Sequence, residues 1–124
     1  MSGPQPGRRE LDAFLSRQRA FLVVLSGPAT GMEFTLDQRA IRLGRGPGVD
    51  LAIDDPSLEI QHARLEFRAG SYWLCNVARE ANTELNGAAV SRQELKRDDR
   101  IRLGDVAFEY TVELRAPLGP GGNP

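Results

Sequence analysis

Residues 63–68 read Ala-Arg-Leu-Glu-Phe-Arg, and after Ala69-Gly70 the chain continues Ser-Tyr-Trp-Leu-Cys-Asn-Val to residue 77. Apolar and charged residues alternate in the first stretch, which predicts a strand with one buried and one solvated face. Ala69-Gly70 is a turn signal, so the two stretches together predict a β-hairpin. The residues expected on its buried face are Ala63, Leu65, Phe67, Trp73, Cys75 and Val77.

Short apolar runs separated by turn signals extend on both sides of this hairpin. Residues 21–25 are Phe-Leu-Val-Val-Leu, whose length and β-branched content are typical of a buried strand. Asn86-Gly87 suits a type I′ turn, since both residues tolerate a positive φ. Residues 106–114 again alternate. Many short strands joined by close turns predict an all-β sandwich or barrel.

Composition restricts the class of protein. The chain has 124 residues, of which 40% are apolar and 27% charged, and this suits one globular domain with its own core. The formal net charge of −1 speaks against nucleic-acid binding, because such binders usually carry a basic excess. The single cysteine, Cys75, allows no intrachain disulfide, and its apolar neighbours favour a place in the core.

The two ends of the chain differ from the middle. We expect residues 1–19 to form a flexible tail with room for a short helix, because Gly and Pro are dense at the start while Leu11, Phe14 and Leu15 have helical spacing. That helix would either pack on the domain or dock a partner. Residues 20–115 would form the domain, and the Gly/Pro-rich residues 116–124 are predicted to be disordered.

The lengths of the hydrophobic runs indicate where in the cell the protein is located. The longest, residues 20–25, is too short to span a bilayer. The N-terminus lacks the order of basic, apolar and small residues that marks a signal peptide. The sequence therefore predicts a cytoplasmic location without direct membrane insertion.

An ordered set of motifs narrows the fold. In chain order the set is Leu43-Gly44-Arg45, residues 49–53, Leu58, His62-Ala63, residues 73–77, Asn86-Gly87, residues 99–104 and Phe108. In this order and spacing the chain resembles the forkhead-associated (FHA) family over about residues 21–114. The resemblance implies a β-sandwich of about eleven mostly antiparallel strands, with recognition loops at one end. It also implies a non-enzymatic domain, without a cofactor, that binds phosphothreonine peptides.

A phosphothreonine carries close to two negative charges and three strong acceptor oxygens, so its pocket needs donors and positive charge. The resemblance places the family's loop arginine at Arg45, directly after Gly44. It places the loop histidine, which braces the second loop by hydrogen bonding, at His62. The family's serine, three residues before that histidine, is replaced by Glu59, and the basic residue that usually follows it is replaced by Ile60.

The third loop also departs from the family pattern. Counting back from the Asn86-Gly87 turn puts the family's loop asparagine at Ala81, with Asn82 one residue later. Thr83 matches the threonine that steadies this loop. A slip of one residue would give Asn82 the asparagine role, but only if the loop is rebuilt.

We therefore expect phosphothreonine binding to be weak or absent. A carboxylate within about 4 Å of a phosphate repels it by about 1 kcal/mol or more even with strong solvent screening. Two alternatives stay open. In one, a shifted loop lets Ser57 supply the missing hydroxyl. In the other, Glu59 pairs with Arg45 and fills the place of the phosphate.

Other chemistries have less support. The glycine-rich residues 44–48 are not followed by the helix that a phosphate-binding glycine loop opens. His62 is the only histidine, so no metal site is predicted, and a Ser57–His62 nucleophile pair rests on spacing alone. The arginines that would form a basic patch, or simply solvated surface, are Arg39, Arg42, Arg45, Arg64 and Arg79.

The sequence thus predicts a protein–protein interaction module that acts as an adaptor or assembly subunit. Its partner would be a protein or peptide, phosphorylated or not, and not a nucleic acid. The alternative is a working phosphothreonine-peptide reader in Ser/Thr kinase signalling. The peptide-binding candidates are Arg45, Ser57, Glu59, Ile60, Arg79, Ala81 and Asn82. The residues expected to shape the loops are Gly44, His62, Thr83, Asn86 and Gly87.

Overall fold

The computed structural model describes residues 6–115, with side chains described from Arg9 onward. Within them the chain forms one α-helix, α1 (Pro6–Arg17), and eleven strands. The strands are β1 (Gln18–Val24), β2 (Glu33–Leu36), β3 (Ala40–Gly44), β4 (Leu51–Ala52), β5 (Ala63–Arg68), β6 (Ser71–Asn76), β7 (Thr83–Leu85), β8 (Ala88–Ala89), β9 (Arg92–Glu94), β10 (Arg100–Leu103) and β11 (Val106–Leu114). The expected all-β architecture is confirmed.

The strands form two sheets around one core. The six-stranded sheet has the order β2-β1-β11-β10-β7-β8, and the five-stranded sheet has the order β4-β3-β5-β6-β9. Every ladder is antiparallel except the short parallel pair of β3 and β4. Side chains from both sheets, such as Leu22 and Phe108 from one and Leu65 from the other, are fully buried between them. The molecule is therefore a sandwich rather than a barrel.

The predicted hairpin of β5 and β6 is present, and its register decides which residues face the core. Leu65 pairs with Leu74, and Phe67 pairs with Tyr72. Directly paired residues share a face of the sheet. Leu74 and Tyr72 therefore lie on the core side, where both are fully buried.

The prediction that Trp73, Cys75 and Val77 face the core is wrong. Trp73 and Cys75 alternate with the core residues and lie on the outer face of the sheet, while Val77 lies beyond the strand and is 42% exposed. Arg92 stacks its guanidinium 5.2 Å from the centroid of the Trp73 ring. Cys75 is nevertheless buried, and burial raises the pKa of its thiol. Because β6 is apolar on both faces, alternation alone does not identify the inner one.

The Asn86-Gly87 turn joins β7 to β8 with both residues at positive φ, 51° and 88°. The Asn86 side chain also ties this turn to the neighbouring strand. Its Oδ1 accepts a hydrogen bond from the N–H of Arg100 at 2.9 Å, and its Nδ2 donates to Asp99 at 2.9 Å. The turn is thus fixed by backbone conformation and by side-chain bonds together.

Helix α1 packs on the sandwich. It begins at Pro6, inside the stretch for which a tail was expected, because proline is well suited to a first helical turn. Leu11 is buried, and the Phe14 ring meets Phe67 and Tyr72 edge to face, with centroids 5.1 and 5.9 Å away. No helix in residues 6–115 is long and apolar enough to cross a membrane. Residues 1–5 of the N-terminal tail predicted for residues 1–19, and the whole C-terminal tail predicted for residues 116–124, lie outside the described residues.

The last residues of α1 are fastened to the end of β11. The N–H of Arg115 donates to the carbonyl of Arg17 at 2.8 Å, and its guanidinium Nε donates to the carbonyl of Leu15 at 2.6 Å. Gln18 and Leu114 are paired in the β1–β11 ladder. The chain therefore enters and leaves the sandwich at one end. The nine residues of β11 put the opposite end about 30 Å away.

Candidate functional site

Four of the loops at the end of the sandwich opposite α1 form a connected surface, which we call the loop pole. They are residues 45–50, 53–62, 77–82 and 104–105, the first, second, third and fourth loops. Main-chain bonds connect them: the N–H of Arg45 donates to Glu59, and the N–H of Gly104 donates to Asn82, both at 3.0 Å. All seven peptide-binding candidates lie on this connected surface.

Gly44 allows the first and second loops to approach closely. A Cβ at this position would overlap the carbonyl oxygen of Ile60. A Cβ at Gly46 would lie 2.6 Å from Cγ2 of Ile60. The Ile60 side chain rests against this glycine and is 50% exposed. At position 60, to which the resemblance assigned the family's basic residue, the chain therefore presents an aliphatic surface.

Arg45 is held by the main chain of the second loop. Its Nε donates to the carbonyl of Leu58 at 3.0 Å. Among the ion pairs of residues 6–115, none joins Arg45 to Glu59 within 4 Å. The hypothesis that these two residues pair is therefore wrong, because the Glu59 carboxylate is bonded elsewhere.

The Glu59 carboxylate accepts three hydrogen bonds from the main chain of the third loop. Oε1 accepts from the N–H of Arg79 at 2.9 Å, and Oε2 accepts from the N–H groups of Glu80 and Ala81 at 2.8 and 2.7 Å. We call these three N–H groups the 79–81 nest. Bonds from Ala81, Arg79 and Glu80 lower the pKa of Glu59 to about 2, because they favour the charged carboxylate.

His62 joins the second and third loops from inside the protein, where it is fully buried. Its Nε2 lies 2.8 Å from the carbonyl oxygen of Asn82, and since a carbonyl only accepts, Nε2 carries the proton. Nδ1 accepts the N–H of Glu59 at 3.1 Å. The carbonyl of His62 accepts the N–H groups of Val77 and Ala78. Both ring nitrogens are thus used in holding the loops together.

The Ser57 hydroxyl is engaged away from the 79–81 nest. It donates to Asp55 at 2.6 Å and accepts the N–H of Asp105 at 2.8 Å. The Ser57 hydroxyl and N–H together lower the pKa of Asp55. A Cβ at Gly104 would overlap the Ser57 carbonyl oxygen, so this contact with the fourth loop is tight. His62 is not among the hydrogen-bond partners of this hydroxyl in residues 6–115.

The third loop offers its main chain rather than its side chains. Ala81 has no polar side chain, and the Arg79 side chain is exposed. The Asn82 carbonyl accepts bonds from His62 and Gly104, whereas its side chain is exposed. The two candidates for the asparagine role therefore contribute backbone groups to the loop pole.

An open cleft of about 420 Å³ lies beside Asn82. Its charged lining comprises the carboxylates of Glu80, Glu84 and Asp105 and the guanidinium of Arg102. Arg102 is paired with Asp105 at 3.5 Å. Two of the three carboxylates are thus not balanced by this arginine, which makes the cleft a poor place for a phosphate.

Two residues that shape the loops were missed by the sequence reasoning. Oδ1 of Asn76 accepts the buried Thr83 hydroxyl at 2.8 Å and the N–H of Ala78 at 3.0 Å. Asp55 holds Ser57, as described above. A turn is often marked by an Asn or Asp whose side chain accepts the N–H of the residue two positions later. Asn76 and Asp55 both show this spacing.

The arginines of the expected basic patch do not share one surface. Arg42 and Arg64 are cross-strand neighbours on the five-stranded sheet and pair with Asp50 and Glu66, at 3.2 and 2.6 Å. Arg45, by contrast, lies in a loop at the loop pole. In the described part of the chain, no three His, Cys, Asp or Glu side chains are grouped to hold a metal ion.

Comparison with known proteins gives a family match over most of the domain. Residues 23–112 match the family described as the cytoplasmic domain of the inner membrane component of the type III secretion system (T3SS). The chain is 32% identical over 91 residues to the glycogen accumulation regulator GarA of Mycolicibacterium smegmatis, covering 73% of this chain and 58% of GarA. It thus spans a little under three fifths of that relative's length.

Two solved structures share the fold. The FHA domain of CT664 from Chlamydia trachomatis has a TM-score of 0.70 at 24% identity, over 75% of this chain and 96% of that one. The cytoplasmic domain of the T3SS sorting platform protein PscD from P. aeruginosa has a TM-score of 0.69 at 23% identity, over 78% and 82%. The resemblance drawn from the motifs is confirmed: the chain has the forkhead-associated fold, and it belongs to the family described as the cytoplasmic domain of the T3SS inner membrane component.

Proposed function

We propose that this domain is a protein-interaction module that binds its partner without recognising phosphothreonine, as an adaptor or assembly subunit. The observation that carries the proposal is the Glu59 carboxylate, which is bonded to all three N–H groups of the 79–81 nest. Donors held by an internal carboxylate are not free for a phosphate. The same carboxylate repels a phosphate placed beside it.

The other groups that a phosphate pocket needs are engaged or absent. The Ser57 hydroxyl is bonded to Asp55 and Asp105. The family's asparagine position is Ala81. Of the four recognition positions, Arg45 therefore remains as the single cation in register, and the neighbouring cleft carries an excess of carboxylates.

The names of the relatives describe assembly or regulation rather than a reaction. PscD is called a sorting platform protein, and GarA is called a regulator. We infer a comparable non-enzymatic role for this chain, in the cytoplasm, as the description of its family suggests. The functional unit would comprise residues 20–115 with α1 packed on it.

The second candidate function is that of a phosphothreonine-peptide reader. Arg45 favours it, because its exposed guanidinium is oriented by the Leu58 carbonyl and takes part in no ion pair within the described residues. A single arginine supplies charge but not the ring of donors that a dianionic phosphate requires. For this reason we place it second.

Calorimetric titration separates the two functions. The wild-type domain is titrated with a degenerate phosphothreonine peptide library and with the same library carrying threonine. We expect no phosphate-dependent heat from the wild type, and a gain of binding in the Glu59→Ser, Ala81→Asn double variant. Adding Arg45→Glu to that variant should remove the gain. Micromolar or tighter wild-type binding to the phosphorylated library alone would establish a reader instead.

A further inference from the structure

The third loop is held at both ends by bonds that do not involve the Glu59 side chain. At its start, Val77 and Ala78 donate to the His62 carbonyl at 3.0 and 2.9 Å. At its end, the Asn82 carbonyl accepts from His62 Nε2 at 2.8 Å and from Gly104 at 3.0 Å. The curvature of residues 79–81 is thus set by groups that would remain if Glu59 lost its carboxylate.

Between these fixed ends, three consecutive N–H groups converge on two oxygen atoms. The N···O distances of 2.7 to 2.9 Å are those of charge-assisted bonds. A concave run of main-chain N–H groups is an anion site in many proteins, because its partial positive charges point to one place. Carboxylate, phosphate and sulfate all present paired oxygens of the kind that the nest holds.

We propose that the 79–81 nest is an oxyanion site which Glu59 occupies as a tethered ligand, and that removing this carboxylate opens the site to free phosphate or sulfate. A tethered ligand acts at high effective concentration, so a free anion does not displace it from the wild type. The third loop is then always in its anion-bound conformation, and a partner can bind this surface without prior phosphorylation. This deepens the proposed function and rests on it.

The surroundings allow a free anion to enter. Glu59 is only partly buried, so the nest opens to solvent once the carboxylate is gone. The exposed Arg79 side chain adds a positive charge next to its own N–H, whereas the exposed Glu80 side chain adds a negative one. Glu80 therefore provides the matched control: it is a neighbouring carboxylate that accepts none of the three bonds.

The first experiment follows the amide signals of residues 79–81 by NMR while inorganic phosphate is added at pH 7 and constant ionic strength. In Glu59→Ala we expect saturable shifts of these three amides, and sulfate should compete. Wild type and Glu80→Ala should show none. If the Asn82 amide signal of Glu59→Ala has the same position as in the wild type, so that the loop is intact, absence of a saturable shift in this variant would overturn the proposal. An equal shift in Glu80→Ala would also overturn it, because the effect would then be unspecific.

Thermal melting covers the case in which Glu59→Ala loosens the loop. A ligand that binds the folded state raises Tm. Phosphate and sulfate should therefore raise the Tm of Glu59→Ala more than that of the wild type. Glu59→Gln keeps the size of the side chain and one acceptor oxygen. We therefore expect it to fold, and its Tm to rise less with added anion than the Tm of Glu59→Ala. Equal anion effects on all three proteins would contradict the site.

Two further titrations distinguish free phosphate from a phosphopeptide as the ligand, and this inference from the proposed function. Free phosphothreonine and a phosphothreonine peptide are titrated beside inorganic phosphate. If Glu59→Ala binds all three with similar affinity, the nest binds the oxyanion alone; if it binds the peptide more tightly, flanking residues of the peptide add to the binding. Wild-type binding of the peptide would end the proposed function but leave the Glu59→Ala result standing. A silent wild type with a silent Glu59→Ala would end this inference alone.

Discussion

Glu59 occupies the position to which the family resemblance assigns a serine, and its carboxylate bonds to the main chain of the third loop. A serine hydroxyl is short and neutral, whereas the glutamate reaches across to the N–H groups of Arg79, Glu80 and Ala81. The carboxylate therefore becomes a structural link between two loops. Its ionisation should be visible in both of them.

The pKa of Glu59 provides the first test. In the folded domain it is about 2, below the value of about 4.3 for an unfolded glutamate. Its stabilising contribution is therefore fully present above the unfolded value and is lost as the pH falls toward about 2. We expect the Glu59 carboxyl carbon and the amides of residues 79–81 to titrate together near pH 2. In Glu59→Gln that transition of the amides should vanish; a wild-type midpoint near 4 would contradict the three bonds.

Position 44 is a second residue-scale test. In Gly44→Ala the new Cβ meets the Ile60 carbonyl, a main-chain group that cannot rotate away. We expect the free energy of unfolding in urea to fall by about 2 kcal/mol. Gly48→Ala is the control, since nothing lies within 4 Å of its Cβ and only its φ of +85° is unfavourable, at about 1 kcal/mol. Equal losses for the two variants would mean that the close approach has no energetic weight.

At the scale of elements, α1 contributes a ring cluster rather than a free docking face. Phe14 contacts Phe67 and Tyr72 edge to face, and those two rings contact each other at 5.2 Å. Phe14→Ala should lower the free energy of unfolding by about 2 kcal/mol, because such pairs add to the burial of the ring. Asp12→Ala, on the exposed side of the helix, should change it by less than about 0.5 kcal/mol in the same urea series. A small effect of Phe14→Ala would instead support a helix that leaves the domain easily.

The strands also show what the sequence could and could not predict. Strand β11 was predictable because Val106, Phe108 and Tyr110 occupy alternate positions in the sequence. In the structure these three residues are buried, and the residues between them are less buried. In β6, Trp73 and Cys75 are as apolar as the residues that face the core, so only pairing with β5 reveals the inner face. Local periodicity carries no information about such pairing.

The candidate site, too, could be predicted only in part from the sequence. Spacing around His62 placed Glu59 in the second loop, and its acidic character predicted a poor phosphate pocket. Its actual partners lie about twenty residues further along the chain, at separations of 20 to 22. Main-chain N–H groups have no signature in a sequence, so the 79–81 nest becomes visible only in three dimensions.

At the scale of the whole molecule, both sheets depend on one core. Phe108 is fully buried between them, and Phe108→Ala should lower the free energy of unfolding by about 3–5 kcal/mol. That is a large share of the roughly 5–15 kcal/mol that holds a typical domain together. Met32→Ala is the control, since Met32 is 50% exposed and should change stability by less than about 0.5 kcal/mol. Denaturant unfolding followed by two spectroscopic probes should also give coincident transitions for the wild type, because separate cores are not present in residues 6–115.

The pairing of Gln18 with Leu114, closed by the bonds of Arg115 to α1, has a practical consequence for protein engineering. Neighbouring strands lie only about 5 Å apart, so in a variant without α1 a short linker could join these two points and new termini could be opened elsewhere. Such a variant would lose the ring contacts that Phe14 makes with Phe67 and Tyr72. For the same reason the sandwich could be inserted as a guest into a surface loop of a host protein. In such a chimera the loop pole would point away from the host, about 30 Å from the junction.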